Sequence, residues 1–164
     1  MARSHRWLAF GIMALSLSTA PLVQPTAPLA QPTALDPAVV AYQLPDQIKW
    51  TDNPRAGNRS AILQGDPSKP GPYAVLLQWL PGNMSRPHFH PNDRHFIVVS
   101  GTWWVGAGST FDPSATVPLP AGSSVTHFAK GVHFDGAKDE QATILVWGEG
   151  PATSTPFAPQ PAAK

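Results

Sequence analysis

Five of the chain's six histidines fall within one stretch, at His88, His90, His95, His127 and His133; His5 stands apart near the start. Imidazole is the commonest metal ligand among side chains near neutral pH, so this grouping raises metal chemistry before any other. His88 and His90 form an H-x-H pair. On a strand, residues i and i+2 point to the same side, which aims two rings at one spot. Pro87 and Pro91 bracket the pair and favour an extended backbone. Taken alone, the pair has two readings, a ligating pair and a polar strand face. His133 joins it only if the fold returns there.

The neighbouring polar residues are sorted by strand parity. His127 shares parity with Val125, a core candidate, and so faces the interior as a ligand, a general base or a hydrogen-bonded core histidine. His95 follows Arg94 and faces opposite to it on a regular strand, toward the surface or a supporting position. Asp93, at a turn, either bonds local backbone or supplies a carboxylate ligand.

These residues need strands to position them. The 20 prolines and 13 glycines oppose long helices and favour short strands with turns. Residues 73–80 (YAVLLQWL) are an apolar run bounded by Gly71-Pro72 and Pro81-Gly82. Residues 96–99 and 102–105 predict a hairpin turning at Gly101. Strands are also expected at 117–119, 124–128 and 142–147. Residues 136–140 (GAKDE) fit either a turn of helix or a polar hairpin loop. Trp79, Trp103, Trp104 and Trp147 are expected in the core or lining a barrel rather than forming a sugar platform. Strands at this spacing imply a closed or double-sheet β fold.

The outer parts of the chain are different in kind. Residues 1–30 read as a secretory signal, with Arg3, His5 and Arg6 before an apolar run at 7–17. That run is too short for a stable membrane anchor. Residues 31–42 form a Pro/Ala-rich tether, 43–150 the folded domain, and 151–164 a Pro-rich tail. The expected location is periplasmic or secreted. Without the leader's two arginines, basic residues fall from 11 to nine, against 10 acidic ones, which gives no basic patch and no nucleic-acid partner. The absence of cysteine excludes disulfides and thiol chemistry. No phosphate-binding glycine loop and no serine nucleophile elbow occurs.

The spacing around the histidines resembles the cupin superfamily. Gly82, His88, His90 and Gly101 fall on the positions of its first motif, G-x5-H-x-H-x(3,4)-E-x6-G, with Arg94 in the glutamate slot. In the second motif, G-x5-P-x-G-x2-H-x3-N, Gly122 and His133 match, while Phe128, Lys130 and Ala137 occupy the proline, glycine and asparagine slots. The resemblance spans most of residues 73–150. It implies an all-β, double-stranded β-helix (a jelly-roll cupin barrel) with His88, His90 and His133 turned inward on a divalent metal, iron, manganese, zinc or nickel. It also implies a homodimer through face-to-face sheets.

Arg94 is the departure, because a guanidinium repels a cation. Two like unit charges 4 Å apart repel by about 1 kcal/mol in water and by more in a protein interior. Three outcomes are open: Arg94 turns outward to a carboxylate, Arg94 turns inward to clamp an anionic ligand, or the barrel holds no metal. A three-histidine set is adequate for a metal that keeps open positions. The expected function is metal-dependent, oxygenase-like chemistry on a small organic acid, with Arg94 orienting a carboxylate and His127 moving a proton. The alternative is a non-catalytic module binding a small molecule or metal.

Overall fold

The computed structural model describes residues 35–157. The expected leader and the tail from residue 158 onward lie outside the described residues. Residues 35–41 form a unit of their own, in which Asp36 closes a turn by accepting the Ala38 N–H. Among the described residues no helix is long and apolar enough to cross a membrane.

From Tyr42 onward the regular structure is almost entirely strand. The strands are β1 (Thr51–Asn53), β2 (Asn58–Gln64), β3 (Gly71–Trp79), β4 (His88–Phe89), β5 (Arg94–Ser100), β6 (Thr102–Ala107), β7 (Val117–Pro120), β8 (Ser124–His127), β9 (His133–Gly136), β10 (Ala142–Gly150) and β11 (Thr155–Pro156). They pair into a six-stranded sheet, β1-β2-β3-β10-β5-β8, and a five-stranded sheet, β11-β4-β9-β6-β7. All pairings are antiparallel. This is the expected jelly-roll barrel, a sandwich of two sheets between which the chain repeatedly crosses.

Period-2 alternation decides which side chains meet inside. Tyr73, Val75 and Trp79 of β3, Phe96 and Val98 of β5, Trp103 of β6, and Ala142, Ile144 and Val146 of β10 are buried together. The register sets Phe96 opposite Val146 and Val98 opposite Ile144. Each large apolar side chain buried this way contributes about 1.5–3 kcal/mol. The core fills one part of the barrel, and the histidines lie beside it: the His127 ring sits 4.7 Å from Phe96 and 5.4 Å from Trp103, centroid to centroid.

Two expectations are corrected. The β5 and β6 segments are not a hairpin: they lie in different sheets, and Gly101 is the corner between them. Its φ of 72° and its closeness to the Gln141 carbonyl leave no room for a Cβ. Local glycine chemistry marks a turn but does not say whether the flanking strands pair. Trp147 lies on the outer face of β10, 37% exposed, stacked beside His95; its parity is opposite to that of Val146. Of the two readings of residues 136–140, the helical turn does not form: β9 ends at Gly136 and a loop follows, while among the described residues the 3-10 turns lie at Pro45–Gln47 and Pro113–Ala115.

The Pro-rich segment after β10 is laid onto the barrel at its start. The Ala152 N–H donates to the Pro67 carbonyl, β11 pairs with β4, and the Phe157 N–H donates to the Pro87 carbonyl. This strap runs alongside the H-x-H pair.

Candidate metal centre

The strands β4, β8 and β9 bring the histidines together. His88 pairs directly with His133 across β4 and β9, and their ring centroids are 4.4 Å apart. His90 lies 4.9 Å from His88 and 5.3 Å from His133 by the same measure. One ring nitrogen from each of the three lies within 4.8 Å of the others. His90 and His133 are buried, and His88 is partly exposed.

Backbone carbonyls orient all three rings. Nδ1 of His88 donates to the Arg86 carbonyl at 2.8 Å, Nδ1 of His90 to the Thr153 carbonyl at 2.8 Å, and Nδ1 of His133 to the Gly131 carbonyl at 2.9 Å. Each bond places the proton on Nδ1 and leaves the Nε2 lone pair for another partner. That is how the second nitrogen of a metal-bound histidine is ordinarily held. Nε2 of His133 is buried without a hydrogen-bond partner, as a vacant ligand atom would be. By donor type, tautomer and spacing, the three residues suit a divalent first-row ion.

Arg94 takes the inward course. Its Nη1 donates to Nε2 of His90 at 2.6 Å, and its Nε is buried without a partner. Burial, followed by this guanidinium, pushes the His90 pKa down to about 3. Burial also pushes His127 down to about 2, with His133 and Arg94 adding to the shift. His133 is lowered by burial as well, against the opposing pull of Asp135 and the Gly131 carbonyl. These rings are therefore neutral at pH 7, the form that can ligate a cation.

The remaining polar residues divide between inside and outside. His127 faces the interior, its ring 3.9 Å from that of His133, with neither nitrogen hydrogen-bonded. His95 faces outward, its Nδ1 3.2 Å from the Thr126 hydroxyl. Asp93 is no ligand: it accepts the Ala129 N–H at 2.7 Å and ties the β4–β5 loop to the segment after β8. Asp135 is a further buried group at the cluster, not singled out from sequence. It follows His133 by two on β9, shares its face and is 5% exposed, with Oδ2 3.8 Å from His133 Nε2. The same i, i+2 argument that singled out His88 and His90 finds it. Thr153 was also missed, since a backbone carbonyl leaves no side-chain signature.

Lys130 takes a φ of 61°, the left-handed conformation that favours the glycine of the second motif. Its N–H donates to the His90 carbonyl, so the strained residue helps hold the ligand loop. A hollow of about 740 Å³ lies on the outward side of β3, β5 and β10, around His95 and Trp147, away from the histidine cluster.

Comparison with solved structures agrees with this architecture. The chain is similar to the polyketide cyclase RemF from Streptomyces resistomycificus, at 13% identity over 74% of this chain and 88% of that one, with a TM-score of 0.60. It is similar to an RmlC-like cupin from Shewanella frigidimarina, at 18% identity over 68% and 90% with a TM-score of 0.54. It is also similar to KdgF from Halomonas sp., at 19% identity over 66% and 92% with a TM-score of 0.51. No protein-family profile matches the sequence, and no curated protein matches it. The fold is the jelly-roll barrel seen in these cupin structures.

Proposed function

We propose that this protein is an exported cupin that holds a divalent metal ion through His88, His90 and His133 and acts on a small organic acid. The observation that carries the reading is the shared anchoring of the three rings, each with Nδ1 on a backbone carbonyl at 2.8–2.9 Å, which makes Nε2 the nitrogen offered to a partner, Arg94 in the case of His90. A bound divalent ion would polarise an oxygen of the acid or activate dioxygen or water. Arg94 supports an anionic substrate: a carboxylate arriving at the cluster offers its guanidinium a stronger, bidentate acceptor than imidazole, and drawing Arg94 away frees His90. His127 stands beside the cluster with neither ring nitrogen hydrogen-bonded; burial makes it a weak base on its own, and the negative charge of an acid bound next to it would raise its pKa toward the range in which it could move a proton. Export rests on the leader-like residues 1–30, with a periplasmic or secreted destination.

The solved structures this chain is similar to include a polyketide cyclase and dimethylsulfoniopropionate (DMSP) lyases, so the fold accommodates several chemistries and does not select one. Metal analysis of the purified protein, followed by oxygen uptake with candidate carboxylic acids, tests the reading. A stoichiometric redox-active metal with acid-dependent uptake supports it. The hydrogen bond from Arg94 to His90 favours one other reading, a metal-free anion-binding module, and tight binding of an acid to chelator-treated protein identifies that case.

A further inference from the structure

A second group of donors lies beside the three-histidine set, and no hydrogen bond occupies its imidazole lone pairs. His127 on β8, His133 and Asp135 on β9 each place a ligand atom within 4.8 Å of the other two. All three residues are more than nine-tenths buried. Both nitrogens of His127 and Nε2 of His133 lack hydrogen-bond partners, and the His133 tautomer is fixed by the Gly131 carbonyl. Among the described residues, no lysine or arginine lies within 4.0 Å of the Asp135 carboxylate, and the neutral His133 ring stands 3.8 Å from it. A buried carboxylate beside two neutral imidazoles is a donor set that a cation would satisfy.

The two sets differ in what they offer an ion. In the three-histidine set, one lone pair is held by Arg94 and no donor is anionic. In the second set, two neutral nitrogens and one carboxylate converge, the two-histidine, one-carboxylate combination that suits divalent iron and its neighbours. Ligand atoms in a tetrahedral set with bonds of about 2.0–2.2 Å stand about 3.3–3.6 Å apart. Rotamer adjustments of well under 2 Å would therefore close the observed spacing.

We propose that His127, His133 and Asp135 form a second seat for a divalent cation, bridging the two sheets and sharing His133 with the three-histidine set. Because Nε2 of His133 has one lone pair, the seats fill one at a time. Asp135 supplies from β9 the negative charge that Arg94 removes from β5.

The test is titration of the chelator-stripped, full-length protein with cobalt(II) and zinc(II) at pH 7.5. It is read by bound metal per chain, competition with a chromophoric chelator and the cobalt d–d spectrum. His90→Gln disables the three-histidine set, Asp135→Asn and His127→Gln disable the new seat, and His133→Gln disables both. Folding of each variant is checked by circular dichroism. The expected result is one ion per chain in His90→Gln, with affinity within about threefold of wild type. In that background Asp135→Asn or His127→Gln weakens binding by about 10–100-fold or more. Loss of metal from His90→Gln, with Asp135→Asn and His127→Gln binding as wild type, overturns the second seat and leaves the three-histidine reading intact. Unchanged binding in both double variants also overturns it. Undiminished binding in His133→Gln overturns both readings. If Asp135→Asn does not fold, His127→Gln decides alone, since loss of a neutral ring leaves no buried charge behind.

Discussion

Nη1 of Arg94 lies 2.6 Å from Nε2 of His90, on the lone pair that an ion would use. A cation and a guanidinium thus compete for one nitrogen, and the net affinity of the three-histidine set is reduced by whatever it takes to displace the arginine. The cavity is thereby biased toward being filled by a metal and an anion together, because the anion offsets both positive charges.

Replacing Arg94 with glutamate turns a competitor into a ligand. Arg94→Glu is expected to raise zinc affinity by at least about tenfold, equivalent to about 1.4 kcal/mol. Arg94→Gln, which removes charge without adding a donor, should fall between it and wild type. Chelator competition measures both; an affinity lower in Arg94→Glu than in wild type contradicts the placement of Arg94 at the metal.

Stability should depend on pH with a definite sign. In chelator-stripped protein, the folded-state pKa values of His127 and His90 are depressed to about 2 and about 3, from 6.5. Above pH 6.5 both rings are neutral folded and unfolded, so neither contributes a pH slope. Below it the unfolded chain binds protons that the folded chain refuses, and stability falls as pH drops. His127, packed by Phe96 and Trp103 and facing His88, His90, His133 and Arg94, would account for about 2 kcal/mol between pH 7 and 5, with His90 adding in the same direction. Urea midpoints across that range check this, and a flat profile refutes neutral burial of His127.

Truncation after Ala152 removes the Thr153 carbonyl and strand β11. The prediction is a barrel that still unfolds cooperatively, with metal affinity reduced about 10–100-fold, the usual consequence of losing a group that orients a ligating histidine. Isothermal titration of both lengths measures it.

Lys130→Gly removes a left-handed non-glycine residue. Relief of about 1–2 kcal/mol of steric cost, less about 0.5–1 kcal/mol for glycine's greater backbone entropy, leaves a gain of up to about 1.5 kcal/mol. A melting temperature below that of wild type would be inconsistent with the φ of 61°.

Filling by aromatic residues sets the far wall of the site. Trp103 is fully buried, and Trp103→Ala should cost about 3–5 kcal/mol while also loosening the His127 ring packed against it. Denaturant unfolding gives the first quantity, and the His127 imidazole chemical shifts report the second.

Much of this was legible from residue types and spacing. Period 2 identified the H-x-H pair, the inward face of His127 and the outward face of His95, because strand parity is local. His133 could be joined to the pair only through motif spacing, since nothing local links residues 45 positions apart. Asp135 was legible by the same parity, two residues after His133, although it lies outside the glutamate slot of the motif, which Arg94 holds. The Gly101 corner and the Thr153 carbonyl were not legible. Sheet membership and backbone contacts at long range are set by how the whole barrel closes, and no individual side chain announces them.

Strand β11 is the outermost strand of its sheet, and edge strands fray more readily than central ones. The carbonyl that holds His90 lies just ahead of it, 63 residues away in sequence. Peeling of this edge and release of the imidazole are therefore one event. Amide hydrogen exchange at Thr155 should slow when an ion is captured, which makes a backbone amide remote in sequence a gauge of occupancy.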